Sequence, residues 1–150
     1  MNKKRNIFFI GILFLLLDQI TKYLIINKSF NILPNILKLS YLENTGIAFN
    51  MNLNNILTII ISILLIIFLL ILLNKGFNNK SMIEKISLIS IISGATSNLI
   101  DRIFRKYVID FIEIELFDFP SFNFADIYIV IGIFTFIIYI LNKELKKMSR

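Results

Sequence analysis

The sequence contains no histidine and no cysteine among its 150 residues. Without histidine there is no Ser-His-Asp triad, no histidine–zinc site and no HExxH metallopeptidase motif. Without cysteine there is no disulfide, no thiol nucleophile and no site for a lipid-modified cysteine. Internal repeats, low-complexity tracts and glycine-rich phosphate loops are also absent. Paired carboxyl groups therefore remain the simplest candidates for acid–base chemistry.

What the chain has in excess is apolar character. It is 57% hydrophobic with a mean hydropathy of +0.78, which exceeds the composition of ordinary soluble proteins. The net charge of +6 could indicate nucleic-acid binding, but basic residues that flank membrane segments explain it better. We expect one membrane-embedded domain over residues 1–150 and no nucleic-acid partner.

Four apolar segments predict membrane-spanning helices, at about 7–26, 56–73, 82–100 and 123–141. The second segment has no charged residue and no polar face, which is typical of a transmembrane helix. The first segment follows a basic N-terminus as a signal peptide would, but no small-x-small cleavage site follows it. Within it, Asp18 and Lys22 are i,i+4 neighbours that can form an ion pair.

The distribution of basic residues predicts the orientation. One side of the membrane would carry ten of the sixteen Lys and Arg residues, so both termini are expected to be cytoplasmic. The ten are Lys3, Lys4, Arg5, Lys75, Lys80, Lys85, Lys143, Lys146, Lys147 and Arg150. Most acidic residues would lie on the opposite, outer side, in or next to the segments 27–55 and 101–122.

The outer segments show strand patterns. Leu37, Leu39 and Tyr41 alternate with polar residues after a turn signal, which predicts a strand. Residues 108–116 alternate more clearly, so that Asp110 would be the only acid on an apolar face while Glu113 and Glu115 point to water. The fold class is therefore a mainly α membrane protein, a four-transmembrane-helix bundle with a small extracytoplasmic β-sheet.

Two aspartates at the edges of apolar segments are the candidate catalytic groups, because carboxyl groups in or near a bilayer usually mark function. Burial on the apolar strand face would raise the pKa of Asp110. Asp126 would begin the fourth helix, where Asn123 is a plausible N-cap and the helix dipole favours a carboxylate. The alternatives are that Asp110 turns outward at a strand end and that Asp126 and Asn123 only cap the helix.

Five short motifs, in order between residues 18 and 126, resemble those of the lipoprotein signal peptidases, also called signal peptidase II. They are Asp18-Gln19-x-x-Lys22, Asn44-Thr45-Gly46-Ile47-Ala48-Phe49, Asn98-Leu99-Ile100-Asp101-Arg102, Val108-Ile109-Asp110-Phe111 and Phe122-Asn123-Phe124-Ala125-Asp126.

This resemblance implies an aspartic endopeptidase of the bacterial cytoplasmic (inner) membrane, with its active site at the outer face. It would remove the signal peptide of a prolipoprotein, cutting before the cysteine that bears diacylglyceryl. Asp110 and Asp126 would be the catalytic pair, one ionised and one protonated, with no metal and no cofactor. The residues expected to shape the site and hold the substrate are Asn44, Asn98, Asp101, Arg102 and Asn123. Structural support is expected from Asp18, Lys22 and Gly46.

The resemblance also implies the partners, which are lipid-modified prolipoproteins and membrane lipids, with the enzyme itself a monomer. Three positions depart from the family pattern. Ser93 and Ser97 replace glycine, and close helix packing should survive because serine is small. Lys106 also replaces glycine, and a positive φ at that position would strain the turn before Val108.

The alternative from a different class is a small membrane transporter or a structural membrane subunit without catalysis. Transporters usually have internal repeats and binding residues near the midplane of the membrane, whereas here the polar clusters gather toward one surface. A Ser/Lys peptidase that uses Ser40 and Lys38 is a further possibility, but no motif surrounds this pair. An intramembrane protease of the Gly-x-Gly-Asp type is excluded, since the sequence contains no such string.

Overall fold

The structure, a computed structural model, describes residues 3–46, 55–116 and 119–148. Within these ranges, four long helices and three strands follow one another along the chain. They are α1 (Lys3–Ile25), β1 (Ser29–Leu33), β2 (Leu37–Asn44), α2 (Asn55–Asn74), α3 (Met82–Phe104), β3 (Val108–Ile114) and α4 (Phe124–Met148). Residues 47–54, within the predicted outer segment 27–55, lie outside the described residues, as do Phe117 and Asp118 of the segment 101–122.

The four predicted helical segments form helices, and all four helices are longer than predicted, α2 by only one residue at each end. α1 starts at Lys3, α4 continues to Met148 and α3 continues to Phe104. The extension of α3 places Asp101 and Arg102 in a helix, not in the predicted outer segment 101–122. The apolar stretch ends near Ile100, but an i,i+4 ion pair between Asp101 and Arg105 supports one further helical turn.

Among the described residues, three helices are long and apolar enough to cross a membrane, namely α1, α2 and α4. α3 is as long as α1 but is not among these three helices. It packs against each of the other three helices, and its serines Ser87, Ser90, Ser93 and Ser97 are buried in those contacts. The apolar side chains that remain exposed lie largely on α1, α2 and α4, as expected for surfaces that face lipid.

Small residues bring α3 and α4 close together near the start of α4. A Cβ atom on Gly94 would overlap the carbonyl oxygen of Ala125, so only glycine allows this approach. The contact places the first turn of α4, which contains Asp126, beside the last two turns of α3. The expectation that serine preserves close packing is confirmed, since Ser93 and Ser97 are both buried.

The strands form one antiparallel sheet in the order β1-β2-β3. β2 and β3 confirm the two predicted strands, although β2 runs on to Asn44 and β3 ends at Ile114. A register shift between Leu39 and Leu42 leaves Leu42 opposite Asp110 and Asn44 opposite Val108. The sheet thus brings the end of β2 next to the start of β3.

The predicted exposure of Glu113 is confirmed only in part, since its side chain is 26% exposed. Its register partner on β2 is Lys38, whose Nζ lies 3.3 Å from Oε1 of Glu113, and the hydroxyl of Ser40 also donates to this carboxylate. The alternation of residues along β3 is as predicted, but β2 supplies partners for Glu113 on its side of the strand. Phe111, on the same face, is fully buried because the ring of Phe124 packs against it edge-on. Glu115 is exposed, as predicted.

Candidate active site

Asp110 lies in the middle of β3, and its side chain is 1% exposed. The alternative in which it turns outward is therefore wrong. Its two carboxylate oxygens accept hydrogen bonds from Asn44 Nδ2 at 2.8 Å and from Asn123 Nδ2 at 2.7 Å. The pKa of Asp110 is raised to about 6, mainly by burial. The hydrogen bonds from Asn44 and Asn123 and the charge of Lys22 act against this rise, and the nearby charge of Asp126 contributes to it.

Asp126 lies in the first turn of α4, and Asn123 is the residue before that helix. The backbone N–H of Asp126 donates to Asn123 Oδ1 at 3.0 Å, and the backbone N–H of Asn123 donates to Asp126 Oδ2 at 3.1 Å. These reciprocal bonds form the pattern of a capping box, so the predicted N-cap at Asn123 is confirmed. Capping is not the only role of Asp126, because its Oδ1 accepts a bond of 2.8 Å from Asn98 Nδ2 on α3.

Asn123 connects the two aspartates, which are distant in sequence. Its side-chain amide donates to Asp110, while its side-chain oxygen accepts from the backbone of Asp126. The same amide also lies 3.3 Å from Asn98 Oδ1 and from the carbonyl oxygen of Ile109. The spacing of Asp110 and Asp126 in the sequence gives no sign that they meet, and it is the structure that brings them to one site.

A buried ion cluster lies beneath this site. Nζ of Lys22 is 2.7 Å from Asp18 Oδ2 and 2.8 Å from Asp101 Oδ2, and all three side chains have no exposed surface. The predicted Asp18–Lys22 pair is thus confirmed, and Asp101 joins it from α3. Asp18 Oδ1 also accepts the backbone N–H of Ala125 at 2.9 Å, so this carboxylate holds the start of α4 against α1.

Three residues of this cluster, Gln19, Ser97 and Arg105, had no predicted role in the site. Gln19 Nε2 donates to the Ser97 hydroxyl at 2.9 Å and to Asp101 Oδ1 at 3.1 Å. The Ser97 hydroxyl in turn donates to Asp18 at 2.7 Å, and Arg105 pairs with Asp101. The i,i+4 spacing of Asp101 and Arg105 was the available signal for Arg105. Nothing in the sequence indicated that Gln19 reaches α3.

Arg102 and Gly46 meet at the edge of the site. Arg102 Nη2 donates to the carbonyl oxygen of Gly46 at 3.3 Å, and the N–H of Gly46 donates to Asn44 Oδ1 at 2.9 Å. Because its oxygen is occupied in this way, the amide nitrogen of Asn44 is directed to Asp110. Ile47, Ala48 and Phe49 of the same motif lie outside the described residues.

A cavity of about 990 Å³ lies over the two aspartates. Its polar wall contains the carboxyl groups of Asp110 and Asp126 together with Glu43, Asn44, Asn98 and Arg102. Its apolar wall comes mainly from α4 and the segment before it, and includes Phe119, Phe122, Ile127, Ile129, Val130 and Ile131. Asn123 and Asp101 do not line the cavity and are fully buried. The cavity has room for an extended peptide with an apolar attachment.

The arrangement supports acid–base chemistry by two carboxyl groups held in fixed positions by amide donors. Among residues 3–46, 55–116 and 119–148, no group of three or more acidic side chains converges in a way that would hold a metal ion. Ser40 and Lys38, the residues of the Ser/Lys alternative, both interact with Glu113 on the sheet, and neither lines the cavity.

Comparison with known proteins is consistent with this site. The family model described as Signal peptidase (SPase) II matches residues 10–142. A protein named lipoprotein signal peptidase from Borreliella afzelii (strain PKo) is 35% identical over 150 residues, which cover 89% of this chain and 88% of the relative. Proteins of the same name from Borrelia hermsii (36% identical, 93% and 94% covered) and Streptococcus thermophilus strain CNRZ 1066 (34%, 85% and 87%) are also similar.

Two solved structures, both titled as a bacterial membrane enzyme, have a similar fold. The first, at 2.3 Å resolution, has a TM-score of 0.86 at 29% identity and covers 95% of this chain and 91% of its own. The second, at 1.9 Å resolution, has a TM-score of 0.80 at 29% identity, with 91% and 92% covered.

Proposed function

Because the chain belongs to the signal peptidase II family, it is a membrane peptidase that removes signal peptides from prolipoproteins, and we propose that Asp110 and Asp126 are its catalytic pair. The observation that carries this proposal is the position of the two carboxyl groups. They face one cavity and are coupled through Asn123. The transporter or subunit alternative is not favoured, since the relatives are named as lipoprotein signal peptidases.

The mechanism is that of an aspartic peptidase. Two close carboxyl groups share one proton, because ionising both places like charges side by side. The ionised group takes a proton from a water molecule, and the resulting hydroxide attacks the scissile carbonyl carbon. The protonated group donates its proton to the carbonyl oxygen as charge develops there. When the tetrahedral intermediate collapses, the carboxyl group that received the water proton passes it to the leaving amine. A hydroxyl group of the intermediate returns its proton to the other carboxylate, so the product is a carboxylic acid and the pair again shares one proton.

Asn44, Asn98 and Arg102 line the cavity beside the pair, and we assign them to holding the substrate backbone. Their amide and guanidinium groups are partly desolvated there, which strengthens polar contacts. Asp101 and Asn123 do not reach the cavity, so we assign them to shaping the site, with Asp18, Lys22 and Gly46. This position of Asp101 differs from the predicted substrate contact, because the helix extension and its bond to Lys22 turn it inward.

The topology we propose has four spans and both termini in the cytoplasm of a bacterium, with the site at the outer face of the inner membrane. α3 serves as the fourth span, because the three apolar helices surround it and its serines do not face lipid. The excess of basic residues at the termini and after α2 supports this orientation. The whole chain acts as one membrane-embedded domain and as a monomer.

The proposed substrate carries diacylglyceryl on the cysteine after the scissile bond. A lipid anchored in the outer leaflet would hold that cysteine at the level of the site and make the encounter nearly intramolecular. The apolar wall formed by residues such as Ile127 and Val130 suits an acyl chain or the apolar part of a signal peptide.

Incubation of the purified protein with a precursor, lipidated or not, tests this assignment. We expect release of the signal peptide from the lipidated precursor and far slower release from the same precursor without lipid, in the same detergent. Equal rates for the two precursors would contradict recognition of the lipid. Failure to cleave either one would contradict the peptidase assignment.

A further inference from the structure

Lys22 is the one lysine side chain with no exposed surface among the described residues whose burial is assigned, and it points toward the candidate catalytic pair. Its ammonium group has three protons, and the structure provides three acceptors. These are Asp18 Oδ2 at 2.7 Å, Asp101 Oδ2 at 2.8 Å and Asn98 Oδ1 at 2.9 Å. The first two are the ion pairs of the buried cluster, and the third leads toward the site.

The bond to Asn98 fixes which end of that amide faces the catalytic pair. Lysine can only donate, so the end of the Asn98 amide that faces Lys22 must be the oxygen. Its NH₂ group is then directed to Asp126 Oδ1, at 2.8 Å. A donor held in this position favours the ionised carboxylate and disfavours a proton on that oxygen.

The other contacts of Asp126 act in the same direction. Its second oxygen accepts the backbone N–H of Asn123, and the N-terminus of α4 favours a negative charge in its first turn. Asp110 also accepts two amide hydrogen bonds, from Asn44 and Asn123, but it is on a strand, with no helix N-terminus beside it. Burial is the main cause that raises its pKa to about 6, so Asp110 can hold the shared proton.

The charges around the pair agree with one shared proton. The charged groups that face this region are Asp18 and Lys22 from α1, Glu43 from β2, Asp101, Arg102 and Arg105 from α3, Asp110 from β3 and Asp126 from α4. Glu43 is exposed to solvent. Among the other groups, three cations are set against four carboxyl groups, so a single proton balances their charges. Balance matters because an unpaired charge in a buried site is costly.

We propose that Lys22 is a positioning residue for catalysis, which holds Asp126 through Asn98 as the ionised group that activates water and so leaves the shared proton on Asp110. This inference rests on the proposed function, since it assumes that Asp110 and Asp126 are the catalytic pair. It goes beyond structural support, because it assigns a different task to each aspartate.

The test is the pH dependence of kcat for Lys22→Met, with Gln19→Leu as the matched control. Gln19 lies on the same helix and shares with Lys22 one neighbour on α3, Asp101, but its other partner there is Ser97 and it does not bond Asn98. In Lys22→Met, we expect the acid limb of the kcat profile to move to higher pH by about one unit, the size of effect that a lost opposite charge has on a carboxyl group. KM should change little, and Gln19→Leu should keep the wild-type acid limb.

Loss of Lys22 removes one cationic partner from each of two buried carboxylates, Asp18 and Asp101, and can prevent folding, so a second variant is needed. Asn98→Leu keeps Lys22 paired with Asp18 and Asp101 and removes the link to Asp126. It also removes the contact with Asn123 and the proposed contact with substrate, so the comparison uses the pH dependence of kcat and not its absolute value. This variant should show the same movement of the acid limb. Where cleavage is too slow for kinetics, the carboxyl group of Asp126 can be titrated by isotope-edited infrared spectroscopy in the folded variant, and its midpoint should move to higher pH.

An unchanged acid limb or titration midpoint in a folded Lys22→Met or Asn98→Leu variant overturns the proposal. An equal movement in Gln19→Leu also overturns it, since the effect would then come from α1–α3 packing alone. Asp126→Asn distinguishes the catalytic role of the aspartate pair from the positioning role of Lys22. If it is inactive while Lys22→Met titrates like wild type, the positioning role fails and the catalytic pair stands.

Discussion

Nδ2 of Asn123 donates a hydrogen bond of 2.7 Å to Oδ1 of Asp110, although the two residues belong to different elements of the fold. The same asparagine caps the helix that carries Asp126. One side chain therefore determines both where α4 begins and how the carboxyl group of Asp110 is oriented.

Asn123→Ser separates these two roles, because serine is also a good N-cap but its short side chain cannot reach Asp110. We expect kcat to fall about tenfold to a hundredfold, since a hydrogen bond to a charged group contributes about 1.5–3 kcal/mol. The thermal unfolding midpoint should stay close to that of wild type. Asn123→Ala, which lacks the cap as well, should lose about 1 kcal/mol of stability in addition. Full activity in Asn123→Ser would show that the bond to Asp110 is not needed.

The second prediction concerns stability and pH. The pKa of Asp110 is raised to about 6 by burial, above its value of about 3.9 in an unfolded chain. Between these values the folded protein binds the proton and the unfolded chain does not, so the contribution of Asp110 to stability is present at low pH and lost as pH rises through about 6. In Asp110→Asn this decline should disappear. The free energy of unfolding of wild type minus that of Asp110→Asn should therefore change by on the order of 1–3 kcal/mol from pH 4 to pH 7. If the free energies of wild type and variant instead change in parallel with pH, the burial of an ionisable group at this position is contradicted.

The third prediction concerns the turn before β3. Lys106 has φ of 73°, so the departure from glycine does place a lysine in the left-handed region, where a Cβ atom is strained. Lys106→Gly should raise the free energy of unfolding by about 1 kcal/mol, because glycine adopts this conformation without the clash. Lys106→Ala is the control, since it removes the same charge and keeps the Cβ atom. An equal gain in both variants would assign the effect to charge.

Much of the fold follows from local patterns in the sequence. The charge-free segment 56–73 allows only a buried or membrane-spanning helix, and the alternation after Val108 allows only a strand. The i,i+4 spacing of Asp18 and Lys22 was enough to predict their ion pair. Each of these features depends on residues that are neighbours along the chain.

The parts that could not be predicted depend on contacts between distant segments. Lys22 reaches Asn98 and Asp101 only because α1 packs on α3, and Glu113 is partly covered only because Lys38 is its partner on β2. Similarly, Asp110 and Asp126 meet because Gly94 lets α4 approach α3. Local periodicity has no information about these pairings, so the motifs indicated which residues matter and the structure showed how they are connected.

The central claim, that Asp110 and Asp126 are the catalytic pair, is tested most directly by cleavage of a lipidated precursor by Asp110→Asn and Asp126→Asn. Asparagine preserves the shape of each side chain and removes its ionisation. Each variant should lose at least about a hundredfold in kcat, the effect typical of a lost general acid or base, with its thermal unfolding still cooperative. Glu113→Gln, a matched change on the same strand as Asp110 but outside the large cavity, should cleave at nearly the wild-type rate. A folded Asp110→Asn or Asp126→Asn variant that cleaves as fast as wild type would contradict the account.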